Sequence, residues 1–90
     1  MIDHPLTASI DISLYPLKDD HLKQIEAFIS RLHEETEFSV HTGALSTQLY
    51  GDFGAMMRCL TREIDTHFQT YGDSVFTIKI LNGDRSHQAL

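Results

Sequence analysis

The sequence is poor in several things, and each shortage removes a class of protein. It holds one cysteine, Cys59, no tryptophan and two prolines in 90 residues. A lone cysteine cannot close an internal disulfide, which fits a reducing compartment and argues against a disulfide-stapled secreted scaffold. There is no cysteine pair, and no two histidines stand three or four apart on one expected helix, so a zinc site has no framework. The seven lysines and arginines are scattered among thirteen acids, leaving a formal charge of −6. Phosphate backbones and anionic lipid surfaces are held by clustered cations, so neither a nucleic acid nor a membrane is an expected partner. No stretch approaches the roughly 20 apolar residues of a membrane-spanning helix. The amino terminus has neither the basic region nor the apolar run of a secretory signal, so the cytoplasm is the expected location.

What is present is the composition of a globular domain: 41% apolar and 22% charged residues. A chain of this size makes one domain with a single two-layer core, over residues 1–90 as a whole, with residues 8–83 as the ordered part and residues 84–90 as a loose polar tail. Residues 9–15 alternate strictly, with Ile10, Ile12 and Leu14 on one side and Ser9, Asp11, Ser13 and Tyr15 on the other, which is the pattern of a half-buried strand. Leu22, Ile25, Phe28, Ile29 and Leu32 follow at helical spacing behind a candidate N-cap at Asp19 or Asp20. Two short strands, residues 38–42 and 45–50, form a hairpin through Gly43. Asp52 caps a second helix, whose apolar stripe is Phe53, Met56, Met57, Leu60, Ile64 and Phe68 and which closes near Gly72. The last strand, residues 74–81, sets Phe76, Ile78 and Ile80 against Val75, Thr77, Lys79 and Leu81.

The order βαββαβ predicts the ferredoxin-like α+β plan, a four-stranded antiparallel sheet with two helices on one face. Strand parity gives the other face its side chains: Ser9, Asp11, Ser13 and Tyr15 from the first strand, Ser39 and His41 from the second, Ser46, Gln48 and Tyr50 from the third, Thr77 and Lys79 from the fourth. A face so rich in hydrogen-bonding groups serves solvent, another subunit or a small ligand equally well. Asp11 is its most informative member, since a carboxylate on a central strand needs a partner once it is covered, and Lys79 on the neighbouring strand is the internal candidate. Thr47 falls on the helix side by the same parity.

Other chemistry finds little support. Gly43, Gly51 and Gly54 read as turn and cap residues, not as a phosphate-cradling loop. Cys59, beside the apolar stripe of the second helix, reads as a structural thiol, and His67 as a residue at the boundary of the core. Met56 and Met57 read as core.

The segment Ser13-Leu-Tyr-Pro16, followed by a polar linker and helix, then Ser46-Thr47 and Gly51-Asp52 leading into the second helix, resembles the YkoF-type family that binds thiamine and hydroxymethylpyrimidine. The resemblance spans residues 8–83. It implies a non-enzymatic protein that holds thiamine or its pyrimidine moiety in salvage or transport of the vitamin, and it marks Ser13, Tyr15, Ser46 and Thr47 as ligand-binding residues. Asp11 joins them on physical grounds, because an aminopyrimidine presents an exocyclic amine and ring nitrogens that call for a carboxylate, hydroxyls and an apolar surface. The YkoF type carries two repeats in one chain and this sequence carries one, so a homodimer or homotetramer is expected to supply the pairing. No metal or covalent cofactor is expected. An amino-acid-sensing regulatory domain, a small enzyme or a structural oligomer on the same plan are the competing readings.

Overall fold

In the computed structural model, residues 6–88 are described. The elements follow in the expected order: β1 (Thr7–Pro16), α1 (His21–His33), β2 (Phe38–Thr42), β3 (Thr47–Asp52), α2 (Phe53–Tyr71) and β4 (Ser74–Asn82). All strand pairings are antiparallel, in the spatial order β2-β3-β1-β4. This is the ferredoxin-like α+β fold. The alternation read in β1 holds, with Ala8, Ile10, Ile12 and Leu14 buried beneath the helices and Asp11, Ser13 and Tyr15 on the open face.

β3 begins at Thr47 and runs to Asp52, two residues later at each end than the sequence pattern indicates. The Gly43 N–H donates to Ser46 O at 3.0 Å and closes a four-residue loop between the paired residues Thr42 and Thr47. That bond takes Ala44, Leu45 and Ser46 out of the ladder. At the far end Asp52 stays extended and turns directly into α2, its carboxylate accepting the Ala55 N–H at 2.8 Å as an N-cap. Gly51 sits at φ 145°, and a Cβ there would lie 2.9 Å from the Phe38 Cβ across the strand pair. Only glycine suits that position.

The helices meet the sheet at a different rotation from the one their most hydrophobic residues predict. In α1, Leu22 is exposed and Gln24 is buried, its amide donating to Asp19 O. Asp20 occupies the N-cap position in the left-handed region, φ 66°, but its side chain makes no capping bond. In α2 the buried stripe is Met56, Cys59, Leu60, Glu63 and His67, while Phe68 lies on the flank. His67 is therefore in the core and not at its boundary. Its ring is enclosed by Phe28, Tyr71 and Phe76, with Nε2 3.2 Å from Ser74 Oγ. Glu63 is admitted to the interior because Arg31 of α1 donates to it at 2.5 Å.

Two further features bear on function. The helical layer does not shelter β4: Ile78 and Ile80, on the helix side, are 38% and 50% exposed. After β4 the chain folds back, where the sequence indicates a loose tail. The Arg85 N–H donates to Ser9 Oγ, which in turn donates to Gly83 O, both at 2.8 Å. No helix among the described residues is long and apolar enough to cross a membrane.

Candidate functional site

The loop of residues 43–46 and the end of β1 come together over α1. Between them lies a pocket of about 270 Å³, walled by Ile12, Leu14, Ile25, Phe28, Ile29, Ala44 and Leu45 and edged by Ser13, Tyr15, Thr42, Gly43, Ser46 and Thr47. Four of the five residues marked in the sequence thus meet at one place. They reach it from both sides of the sheet: Ser13 and Tyr15 stand on the open face of β1, while Thr47 is on the helix side and 3% exposed. The pocket opens where the sheet ends, so both kinds of parity contribute. Among the described residues, no charged side chain lines it.

Asp11, the fifth residue, lies behind this pocket instead of in its wall. Its Oδ1 accepts from the Ser46 hydroxyl at 2.5 Å and from the Gln48 amide at 2.8 Å, and the same amide lies 2.7 Å from Ser46 Oγ. Lys79 is opposite Asp11 in the β1–β4 register, but among the described residues it forms no ion pair with it. The carboxylate is satisfied by the two neutral donors of β3 and its loop. The Ser46 hydroxyl holds the Asp11 carboxyl below the usual carboxylate range, with smaller help from Gln48 and from the Lys79 charge, against a desolvation that acts in the opposite sense. Asp11 is consequently a fixed anion that anchors Ser46. Ser46 then presents the edge of its hydroxyl to the pocket with its proton already engaged, as an acceptor for a ligand N–H.

A second polar chain enters from the other side. His33 Nε2 of α1 is 2.9 Å from Thr42 Oγ1, which is 3.2 Å from Thr47 Oγ1. Thr42 and Thr47 face each other because they flank the four-residue loop. Sequence reasoning missed this chain, as it missed Gln48 as a partner of Asp11 and α1 as the pocket's floor. The loop count was the available signal: once Gly43 and Ser46 are bonded, the two threonines must be opposed.

No family model matches the chain, and no curated protein matches it. Solved structures do. A protein of Streptococcus pneumoniae is 25% identical, with TM-score 0.79, over 91% of this chain and 92% of the other. A candidate thiamine biosynthesis/salvage protein of Thermotoga maritima is 17% identical, with TM-score 0.76, over 83% of this chain and 82% of that one. A domain of unknown function from Bacillus cereus, of the type DUF77, is 16% identical, with TM-score 0.70, over 84% and 75%. The likeness is one of fold. It extends over most of each chain, so the whole βαββαβ unit is shared and not a fragment of it.

Another polar group, the thiol of Cys59, lies outside the pocket. Cys59 is buried, and its thiol is pushed up to about 12, chiefly by desolvation and then by the nearby Glu35 carboxylate. Among the described residues, no three side chains of His, Cys, Asp or Glu are grouped to hold a metal ion.

Proposed function

We propose that this protein binds thiamine or its hydroxymethylpyrimidine moiety without transforming it, as a cytoplasmic homo-oligomer serving salvage or transport of the vitamin, and that it belongs with the thiamine-binding proteins of this fold. The observation that carries the reading is the convergence of Ser13, Tyr15, Ser46 and Thr47 on one apolar-walled pocket. An aminopyrimidine is flat and neutral, with donors and acceptors only around its rim. A pocket with aliphatic walls from α1 and β1 and a hydroxyl edge from the 43–46 loop matches that distribution. At about 270 Å³ the space is near the lower limit for small-molecule sites, which favours one ring over two. The thiazolium of thiamine would then lie toward the mouth, beside Tyr15.

The fold neighbour from Thermotoga maritima, named for thiamine biosynthesis or salvage, supports the same ligand class. The uncharged lining weighs against the amino-acid sensor, because a zwitterion desolvated there would lack partners for both of its charges. Ser46 gives its proton to a carboxylate that is held below its ordinary range, so its oxygen is a hydrogen-bonding group and not an attacking one.

Isothermal titration with hydroxymethylpyrimidine, thiamine and a panel of amino acids tests the reading. We expect the pyrimidine and thiamine to bind with one site per chain and to be recovered unchanged. Heat from an amino acid and none from either vitamin compound would overturn it.

A further inference from the structure

The open face of the sheet carries a hollow of about 310 Å³ that shares no lining residue with the pocket over α1. Strand register builds it from two rows of side chains across β3, β1 and β4. Gln48, Asp11 and Lys79 lie abreast in one row, and Tyr50, Ser9 and Leu81 lie abreast in the next, about 7 Å further along the strands. Ser9 is short and stands between two large side chains. It is therefore a floor, with Tyr50 and the half-exposed Leu81 as walls.

The chain after β4 brings a cation to this hollow. The Gly83 N–H donates to Thr7 O at 2.9 Å, Ser9 Oγ donates to Gly83 O, and the Arg85 N–H donates back to Ser9 Oγ, the last two at 2.8 Å. The Arg85 guanidinium is then fixed by two neutral acceptors, Nε donating to Asn82 O at 3.1 Å and Nη1 to Gln88 Oε1 at 2.9 Å. These bonds orient the group without cancelling its charge. Asp84, the acid next in sequence, accepts from the Ser86 N–H at 3.0 Å and forms no ion pair with Arg85 among the described residues. Ordering such a turn has an entropic cost, and residues 83–88 hold no large apolar side chain whose burial would offset it.

Lys79 and Arg85 thus bring two positive charges to the hollow and Asp11 one negative charge, and among the described residues neither cation forms an ion pair. Asp11 remains an anion, with one oxygen already accepting from Ser46 and Gln48. One positive charge is left unmatched there, in a chain whose formal charge is −6. We infer that the hollow is a second binding site, for a small aromatic carboxylate whose ring lies on Ser9 between Tyr50 and Leu81 and whose charge is held by Arg85 and Lys79. A planar carboxylate suits a guanidinium that is already oriented, and the Tyr50 ring gives contact area at low entropic cost. A single negative charge equals the surplus. The dianion of a phosphate ester would exceed it and approach the Asp11 carboxylate, and an uncharged ring would leave it unmatched. The inference goes beyond the vitamin reading and does not depend on it, because the two sites have separate walls.

Amide spectra of the labelled full chain, titrated with naphthoate and with no thiamine or pyrimidine present, test the inference. Saturable shifts are expected, largest at Ser9, Tyr50, Leu81 and Arg85 and not at residues 43–46. Naphthamide, the same ring without the charge, should bind about tenfold more weakly or worse, and naphthyl phosphate no more tightly than naphthoate. Lys79→Gln and Arg85→Gln should each lower naphthoate affinity by about tenfold or more. Because Arg85→Gln can also loosen the turn after β4, Arg85→Lys, which keeps the charge and loses the fork, supplies an independent readout and should recover part of the affinity. No saturable shift, shifts centred on residues 43–46, or equal affinity for naphthoate and naphthamide would overturn the inference. So would tighter binding of the phosphate, or unchanged affinity in Lys79→Gln and Arg85→Gln.

Discussion

The Ser46 hydroxyl bonds to Asp11 Oδ1 at 2.5 Å across 35 residues of sequence, and so fastens the β2–β3 loop to the middle of β1. Removing either end should release the loop. Ser46→Ala is expected to cost about 1.5–3 kcal/mol, since the lost bond is to a charged acceptor, and to lower affinity for hydroxymethylpyrimidine as well. Asp11→Asn should cost stability in the same range but affinity less, because Asp11 acts on the pocket only through Ser46. Melting temperature and titration on both variants check this; equal loss of affinity with no loss of stability would place Asp11 in the pocket itself.

The same bond predicts a pH effect. The Asp11 carboxyl titrates lower when folded than when unfolded, so its contribution is fully present above the ordinary carboxylate value near 3.8 and is lost as pH falls through the lower, folded value. In Ser46→Ala the Asp11 pKa should rise toward the ordinary value. Carbon-detected carboxyl titration reads this directly.

Thr42 and Thr47 bond to each other, and the two hydroxyls need to be removed separately and together. Thr47→Val alone should leave the Thr42 hydroxyl with only its His33 partner and weaken ligand binding by about 1 kcal/mol. The double change to valine removes both partners and should restore most of any stability lost, while affinity stays low. A double variant with normal affinity would take Thr47 out of the binding set.

His67 is fully buried, has no hydrogen-bond partner at Nδ1 among the described residues, and is pushed below its ordinary pKa by desolvation and by the Arg31 charge. The unfolded chain therefore takes up a proton near pH 6.5 where the folded chain does not. Stability should fall as pH drops below about 6.5 and level off below the folded value. His67→Phe, which keeps the aromatic contacts with Phe28, Tyr71 and Phe76, should flatten that slope in chemical denaturation series between pH 7 and 5.

Gly51→Ala must move the Phe38 Cβ or distort a backbone at φ 145°, and should cost about 1–3 kcal/mol, or roughly 5–20 °C in melting temperature. Cys59 makes the opposite kind of forecast. With its thiol pushed up to about 12 and its side chain buried, it should resist aromatic disulfide reagents until the protein unfolds.

Most of the architecture was legible because it rests on local rules. Alternation in β1, the Asp52 cap and the closing glycine at Gly72 each act within a few residues, and the element order then fixes the sheet. The rotation of α2 was not legible. Phe53, Ile64 and Phe68 are its most hydrophobic residues, yet the interior takes Glu63 and His67, because Arg31, 32 residues from Glu63, and Ser74, beyond the helix end, supply their partners. The same limit applies to the site. Motif residues could be named, but parity placed Ser46 on the open face as a strand residue, and it is a loop residue. Its hydroxyl still reaches Asp11, as the parity argument required, while its other side borders the pocket. Lys79 was the internal candidate for pairing Asp11, and it forms no ion pair with it, since Ser46 and Gln48 supply the donors.

The register that pairs Ala8 with Asn82 and Pro16 with Ser74 joins the first strand to the last along its length. During synthesis, the first strand must therefore wait for nearly all the rest of the chain before its long ladder can form. Hairpin β2–β3, its pairing with β1 and the helix after it can organise early, but the ladder to the edge strand β4 is completed late. Slow, high-contact-order closure leaves the apolar side of β1 open to wrong partners meanwhile. Overexpressed protein should consequently gain more soluble yield from lowered temperature or chaperone supply than from any surface substitution.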